Sequence, residues 1–308
     1  SHDASIAYFV DNKLEYFLKE ERLSGVKRDS GVIKGLNYLI KNDLEVHAVI
    51  INSCVVDDPY VENTLAPWIQ KTFECKVFIN DLDHHKSHAI LAFEKSKFNE
   101  SLVFVIDRNG IQNGKIFEVE SIFHVDKEYN TWDIYKNFGI EELYDLDIHD
   151  KLKEYDCDIR CDSRMGITQL YETATTLIGQ GVHENGKTMG LSSYGRDLNF
   201  KNFFNNDVVD SNLFFKKHDG EDDVFYSKEF YDKKTNKVDE DNYQFYADYA
   251  FQVQKQTQQE ILRLVKEYVV KTGIKKVCFA GGYALNVVTN SFLVKSLPHV
   301  EFYFEPIS

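Results

Sequence analysis

The stretch SLVFVIDRNGIQNGKIFEVESIFHV, residues 101–125, decides how the chain is read. Its first half is a run of branched and aromatic residues that stops at Asp107, the pattern of a strand buried on both faces. Residues 107–114 supply the polar and glycine residues of a turn, and GKIFEVESIFHV (114–125) returns to pair with the first strand. A central strand with an antiparallel partner is an opening hairpin for an α/β lobe. Backbone amides around Gly110 and Gly114 can approach a phosphate, because glycine tolerates the backbone angles required. An ordinary β-turn accounts for the same two glycines.

Working outward, ASIAYFV followed by Asp11–Asn12 and KLEYFLKEE predicts a second hairpin near the start of the chain. Helical spacing follows over 29–42, with Asp29 or Ser30 as cap, and then a strand, VHAVIIN. A helix around Pro67 and the strand CKVFIN come next, and HHKSHAILAFEKS continues as a helix capped by Asp83. Beyond residue 125 the pattern predicts helices at 165–180 and from Tyr243 to Thr272. The strand KKVCFA, the turn GGYALN, another helix and a last strand complete it. Two lobes result, 1–100 and 101–308, each opened by a hairpin. The acidic, aromatic segments 126–163 and 197–242 lack clear periodicity and are expected as insertions on the second lobe. This layout resembles the two-lobed actin/hexokinase/acetate-kinase fold, an α/β architecture with duplicated ribonuclease-H-like lobes. In that fold the opening hairpins face the phosphates of ATP, and a glycine pair at a later strand-to-helix turn holds the nucleoside.

Composition narrows the function classes. With 308 residues, 43% hydrophobic and 28% charged, the chain can bury a large core. No apolar run approaches the ~20 residues that cross a bilayer, and the opening residues lack a signal-peptide layout, so no membrane partner is expected. The five scattered cysteines suit a reducing, cytoplasmic setting. Cys157 and Cys161 are spaced for a metal but lack a second Cys/His pair nearby. A net charge of −14 repels phosphate backbones, so nucleic acid is expected only as a substrate for modification. The Lys-, Asn-, Phe- and Tyr-rich, proline-poor usage hints at an AT-rich viral genome, which would make the compartment a host cytoplasm. A homodimer is left open.

Three stretches carry candidate chemistry. On a helix, His84 and His88 share a face and can share one divalent ion, with Asp107 at the strand end as third ligand. The ordinary alternative is that these histidines cap the helix or pair with Asp81 and Asp83. His85 lies one residue off that face and is expected to contact substrate or support the ligands. In FAGGYALN (279–286), Gly281 and Gly282 leave room for a ligand against the backbone, and Asn286 can reach a ribose or base. Tight strand–helix packing explains the glycines equally. In ENGKTMGLSSYG (184–195), Lys187 is a candidate for a phosphate or carbamoyl oxygen, and a solvated lysine is the plain alternative.

Five ordered stretches, SHDASIAYF, EERLSGVKRD, DHHKSHAILAFEKSKF, GKTMGLSSYG and GGYALNVVTN, resemble the O-carbamoyltransferases of the nodulation-protein and tobramycin type. The last three are also similar, more distantly, to the proteins that form threonylcarbamoyladenosine in tRNA. The resemblance implies that ATP and carbamoyl phosphate form carbamoyl-adenylate in a separate carboxy-terminal domain. The domain represented here would then pass the carbamoyl group to an acceptor hydroxyl. It further implies His84, His88 and Asp107 as ligands of iron, with magnesium, manganese or zinc as alternatives, and Gly281, Gly282 and Asn286 as nucleotide contacts. His2 of the HD pair is expected near the transferred group, where its imidazole accepts the acceptor's proton and Asp3 orients it. The acceptor class is a small-molecule hydroxyl or a hydroxymethyl pyrimidine in DNA. The family pattern adds an aspartate ligand in a loop just after the strand matched by FYFEPIS, and that loop and the carboxy-terminal domain are not in this sequence. Two other readings stand beside this one: a tRNA threonylcarbamoyl transferase, and a non-enzymatic nucleotide-binding lobe serving a partner.

Overall fold

The computed structural model describes residues 4–26, 29–52, 59–80, 83–110, 112–113, 116–140, 152–198, 200–219 and 222–306. It divides into two compact units, Ser1–Asp81 and Leu82–Ser308.

In the first unit, β1 (Ser5–Val10) and β2 (Lys13–Lys19) form the expected hairpin. Asp11 and Asn12 take the left-handed conformation at its tip (φ 49 and 63), which short polar side chains tolerate. Two helices follow, α1 (Glu20–Ser24) and α2 (Ile33–Lys41). The α2 cap differs from expectation, because Asp29 accepts the Gly31 amide at 2.9 Å and the helix starts only at Ile33. Buried Glu20 holds the first turn instead, accepting the amides of Lys34 (2.6 Å) and Gly35 (2.9 Å). β3 (Ala48–Ile51) is joined to α3 (Ala66–Phe73) and the parallel strand β4 (Lys76–Ile79). A π-helical turn, Val61–Leu65, leads into α3, whose first turn contains Pro67 and so loses one amide from the helical ladder. Leu36, Ile69 and Cys75 are the buried centre of this unit. Its two strand pairs form separate two-stranded sheets among the described residues.

The second unit runs α4 (His84–Ser96), β5 (Glu100–Ile106), β6 (Gln112–Asn113), β7 (Ile116–Asp126), β8 (Thr131–Ile140) and β9 (Asp158–Ser163). It continues with α5 (Ile167–Leu177), α6 (Asn185–Ser192) and the small hairpins β10–β11 (Phe204–Asn205, Val208–Val209) and β12–β13 (Phe214–Asp219, Asp222–Ser227). The 30-residue α7 (Tyr243–Thr272), β14 (Lys276–Ala280), α8 (Val287–Ser296) and β15 (Glu301–Phe304) complete it. The sheet order is β15-β14-β5-β7-β8-β9, with β6 also on β7. From the central β5, the partners on one side run antiparallel (β7, then β8 against β7), and those on the other run parallel (β14, β15). This is the ribonuclease-H-like arrangement expected of the second lobe.

β5 is buried on both faces, as its sequence required. Leu102, Phe104 and Ile106 enter a core shared with α5 and α7, whereas Val103 and Val105 meet Ala89, Ala92 and Phe93 of α4. Two sequence expectations are corrected here. α4 belongs with the second unit, so the boundary falls at 81/82 rather than 100, because the Ala89–Ala92–Phe93 side of the helix buries on this sheet. The described residues of 126–163 are not an insertion: β8 and β9 are strands of the main sheet, with β8 paired along the length of β7. Their periodicity is obscured because Lys136 and Asn137 are buried polar residues in mid-strand. Among the described residues no helix is long and apolar enough to cross a membrane.

Candidate functional site

Asp107 follows the last residue of β5, at the carboxyl end of the central strand, where open α/β sheets bind ligands. α4 starts beside it because Asp83 caps the helix, accepting the Lys86 amide at 2.6 Å. The first two turns then point two imidazoles, four residues apart, at one carboxylate oxygen. Asp107 Oδ2 lies 3.1 Å from His84 Nε2 and 3.2 Å from His88 Nε2, and the rings are perpendicular with centroids 4.7 Å apart. One ligand atom from each of the three residues falls within 4.8 Å of the others. Burial pushes the Asp107 carboxyl up, but hydrogen bonds from His84 and His88 outweigh it and hold the group well below the usual carboxylate range. Burial likewise opposes a charge on His84, and Asp107, with Asp83 and Glu118, reverses this into a net rise. Donors bound to one ion at ~2.0–2.2 Å stand roughly 3 Å apart along the edges of the coordination shell. The separations at Asp107 Oδ2 match that spacing, and a mixed imidazole–carboxylate set suits zinc, iron or manganese.

The other carboxylate oxygen is held by the backbone. Asp107 Oδ1 accepts the amides of Arg108 (2.8 Å) and Gly282 (3.2 Å). Gly281 has φ 82 and ψ 167, a conformation open essentially to glycine alone, and a Cβ there would lie 2.5 Å from the Ile106 carbonyl. The glycine pair therefore lets its turn lie directly on the end of β5. Asn286 departs from expectation. It is 7% exposed, caps α8 by accepting the Thr289 amide (3.0 Å) and donates to Gln254 Oε1 on α7 (2.9 Å). Both ends of its amide serve the interior.

His85 is also corrected. It is fully buried, with Nδ1 2.8 Å from Ser121 Oγ on β7. Ser121 donates its hydroxyl hydrogen to Glu118 Oε1 (2.9 Å), so it accepts from an Nδ1–H tautomer of the imidazole. The remaining nitrogen, Nε2, has no hydrogen-bond partner among the described residues and packs on Gly110, where a Cβ would sit 2.8 Å away. Burial pushes the pKa down to about 3, so the ring is neutral. An enclosed ring contacts no substrate in this arrangement. Gly110 is small because His85 and Glu118 crowd it, and its amide is occupied by the Glu118 carbonyl (2.7 Å) rather than presented to a phosphate.

His2, Asp3 and Gly114 lie outside the described residues. Lys187 sits on α6 with a side chain 57% exposed, donating to Gln180 (2.6 Å) and Glu184 (2.9 Å). No described contact joins it to the His84–His88–Asp107 cluster. Of the motif's glycines, Gly195 serves packing, since a Cβ there would strike the Ala247 carbonyl of α7, whereas Gly186 and Gly190 have open space beside them. Cys157 and Cys161 are free thiols raised to about 11, chiefly by burial. Sequence reasoning missed Arg108, whose Nε lies 3.1 Å from the carboxylate of buried Glu172 on α5. It also missed Glu118, Glu120 and Lys136. Their signal was charge at strand positions between apolar neighbours, in FEVESIF and YKNFG.

Comparison with known proteins gives three findings. The family model described as carbamoyltransferase N-terminus matches residues 52–308. An uncharacterized protein of Synechocystis sp., sll1178, is 23% identical over 360 residues, covering 99% of this chain and 53% of its own length. The crystal structure of full-length HypF in its phosphate- and nucleotide-bound form superposes with a TM-score of 0.50 at 14% identity, over 96% of this chain and 50% of HypF. The chain thus spans about half the length of the relatives it matches. At that identity the HypF likeness concerns the fold, and the fold is the α/β, actin/hexokinase-like one that the motifs implied.

Proposed function

The chain belongs to the carbamoyltransferase amino-terminal family, and we propose that it carries out the transfer half of an ATP-dependent O-carbamoylation. The carbamoyl group moves from carbamoyl-adenylate, made from ATP and carbamoyl phosphate, to an acceptor hydroxyl. The acceptor is a small molecule or a hydroxymethyl pyrimidine. The observation that carries this reading is the convergence of His84, His88 and the Gly281–Gly282 turn on one residue, Asp107. HypF, solved with phosphate and nucleotide bound, supports a nucleotide co-substrate on this fold.

Carbamoyl-adenylate is a mixed anhydride, so the site must hold its phosphate while the acceptor oxygen attacks the carbamoyl carbon and AMP departs. A divalent ion held by His84, His88 and Asp107, iron by preference, would neutralise phosphate charge beside the leaving group. Asp107 is kept ionised by its neighbours and is ready as a ligand at neutral pH. Arg108 donates its backbone amide to Asp107, while its guanidinium is paired with Glu172. The nucleoside lies against the backbone at Gly282, since Gly281 is filled by Ile106, and His2, oriented by Asp3, takes the acceptor's proton.

The test is mass spectrometry of candidate hydroxyl acceptors incubated with the full-length protein, ATP and isotope-labelled carbamoyl phosphate. A labelled carbamoyl ester that depends on ATP, and is lost in Asp107→Asn, supports the reading. Labelled ester formed equally well by Asp107→Asn, or nucleotide binding without any transfer, contradicts it.

A further inference from the structure

Behind the His84–His88–Asp107 cluster, five buried or half-buried polar side chains close into a ring. Asp83 caps α4, and its Oδ2 lies 3.8 Å from Lys136 Nζ on β8. Lys136 is paired with Glu118 on β7, and each side chain is 2% exposed. Glu118 accepts from Ser121, and Ser121 accepts from His85, two residues along α4 from Asp83. The ring therefore leaves the first turn of α4, crosses β7 and β8, and returns to the same turn. It also touches the strand-end loop, since the Glu118 carbonyl accepts the Gly110 amide and His85 packs on that glycine. Phe123 lies under the lysine, with its ring centroid 5.1 Å from Nζ.

A buried ion pair is a costly way to pack a sheet; apolar residues of similar volume do as well or better for stability alone. What the pair supplies is fixed geometry. His84 projects from the turn that Asp83 and His85 pin down and His88 from the next turn on the same face, while Asp107 heads the loop that Gly110 pins. We propose that the Asp83–Lys136–Glu118–Ser121–His85 ring is a positioning clamp that sets the separation between the two histidines and Asp107, with Lys136 and Ser121 as its positioning residues. This rests on the reading of the cluster as a metal site. The ring itself touches no metal; it acts through the backbone of α4 and of the loop after β5.

The test combines Zn(II) calorimetry on chelator-stripped protein with hydrogen exchange across residues 83–90. Ser121→Ala opens one link without stranding a charge. Lys136→Met with Glu118→Gln opens another while removing both charges together, which guards against misfolding from an orphaned carboxylate. Thr175→Val breaks the buried Thr175–Thr188 hydrogen bond elsewhere in the unit as a control for general loosening. The expected result is Zn(II) affinity at least about tenfold weaker in both ring variants, with faster exchange confined to 83–90, and neither change in the control. Unchanged affinity and exchange in the ring variants would overturn the clamp, as would equal losses in the control. Wild-type protein that binds no Zn(II) would refute the metal reading instead. Exchange at 83–90 would then decide the clamp by itself, established if it quickens only in the ring variants and overturned if it does not.

Discussion

The Gly282 amide donates to Asp107 Oδ1 across 3.2 Å, and the opposite oxygen of that carboxylate faces His84 and His88. One carboxylate thus joins the glycine turn to the histidine helix. A change in the turn reaches the cluster directly, without passing through the core.

The two glycines of that turn should consequently behave differently. A Cβ on Gly282 would stand 3.2 Å from Asp107 Oδ1, tight enough to push the carboxylate, while the residue's own backbone stays ordinary. Gly282→Ala should cost little stability but weaken divalent-metal binding by roughly tenfold. Gly281→Ala must instead accept a glycine-only conformation and a collision with the Ile106 carbonyl. It should destabilise the fold by about 2 kcal/mol or more. Denaturant melts paired with metal titrations separate the two outcomes.

Glu120 offers a pH test away from the cluster. Burial lifts its carboxyl to about 7, even though the Ile167 amide (2.6 Å) and Asn137 (2.5 Å) stabilise the ionised form. The folded state thus holds this proton more tightly than the unfolded chain, whose pKa is near 4.5. The group favours folding below that value, and the benefit is lost as pH rises through about 7. Glu120→Gln keeps an acceptor for Ile167, and a turned Asn137 amide can accept from the new one. The variant should be more stable than wild type at pH 8, by about 3 kcal/mol at most, and should lose most of that advantage by pH 5. An advantage that does not depend on pH would show that Glu120 is not the group responsible.

Lys187 and Asn286 were both read from sequence as ligand contacts, and the structure separates them. Lys187 is exposed, so Lys187→Ala should leave stability within about 0.5 kcal/mol. A fall in carbamoyl transfer by that variant therefore reports a lost ligand contact. Asn286→Ala removes a helix cap and one hydrogen bond of Gln254, which keeps Tyr171 and Thr289 as partners, and should cost roughly 1–2 kcal/mol. A melting temperature near wild type would contradict the interior role given to Asn286.

The legible parts of this molecule were those where one physical demand acted alone. The apolar run of β5 and the long spacing of α7 announced themselves, and so did Asp83 as the cap of α4. The i,i+4 spacing of His84 and His88, with a carboxylate at a strand end, was enough to bring the cluster together in advance. Where two demands met, sequence reasoning failed. Lys136 and Asn137 disguised β8 as an insertion because they are polar residues buried in mid-strand. His85 looked like a reactive neighbour, yet one residue of helical rotation turns it inward to Ser121. The glycines at 110 and 281 read as openings for a ligand, and both are filled by the protein's own atoms. Such close approaches depend on tertiary neighbours that no local pattern records.

The most direct test of the site is elemental analysis of protein purified without chelator, comparing wild type with His84→Ala/His88→Ala. Wild type should carry near-stoichiometric divalent metal, iron foremost, and the double variant should lose it while its melting temperature stays close to wild type. Equal metal in both proteins, or none in wild type even after loading with iron, manganese or zinc, would contradict a metal centre built on His84, His88 and Asp107.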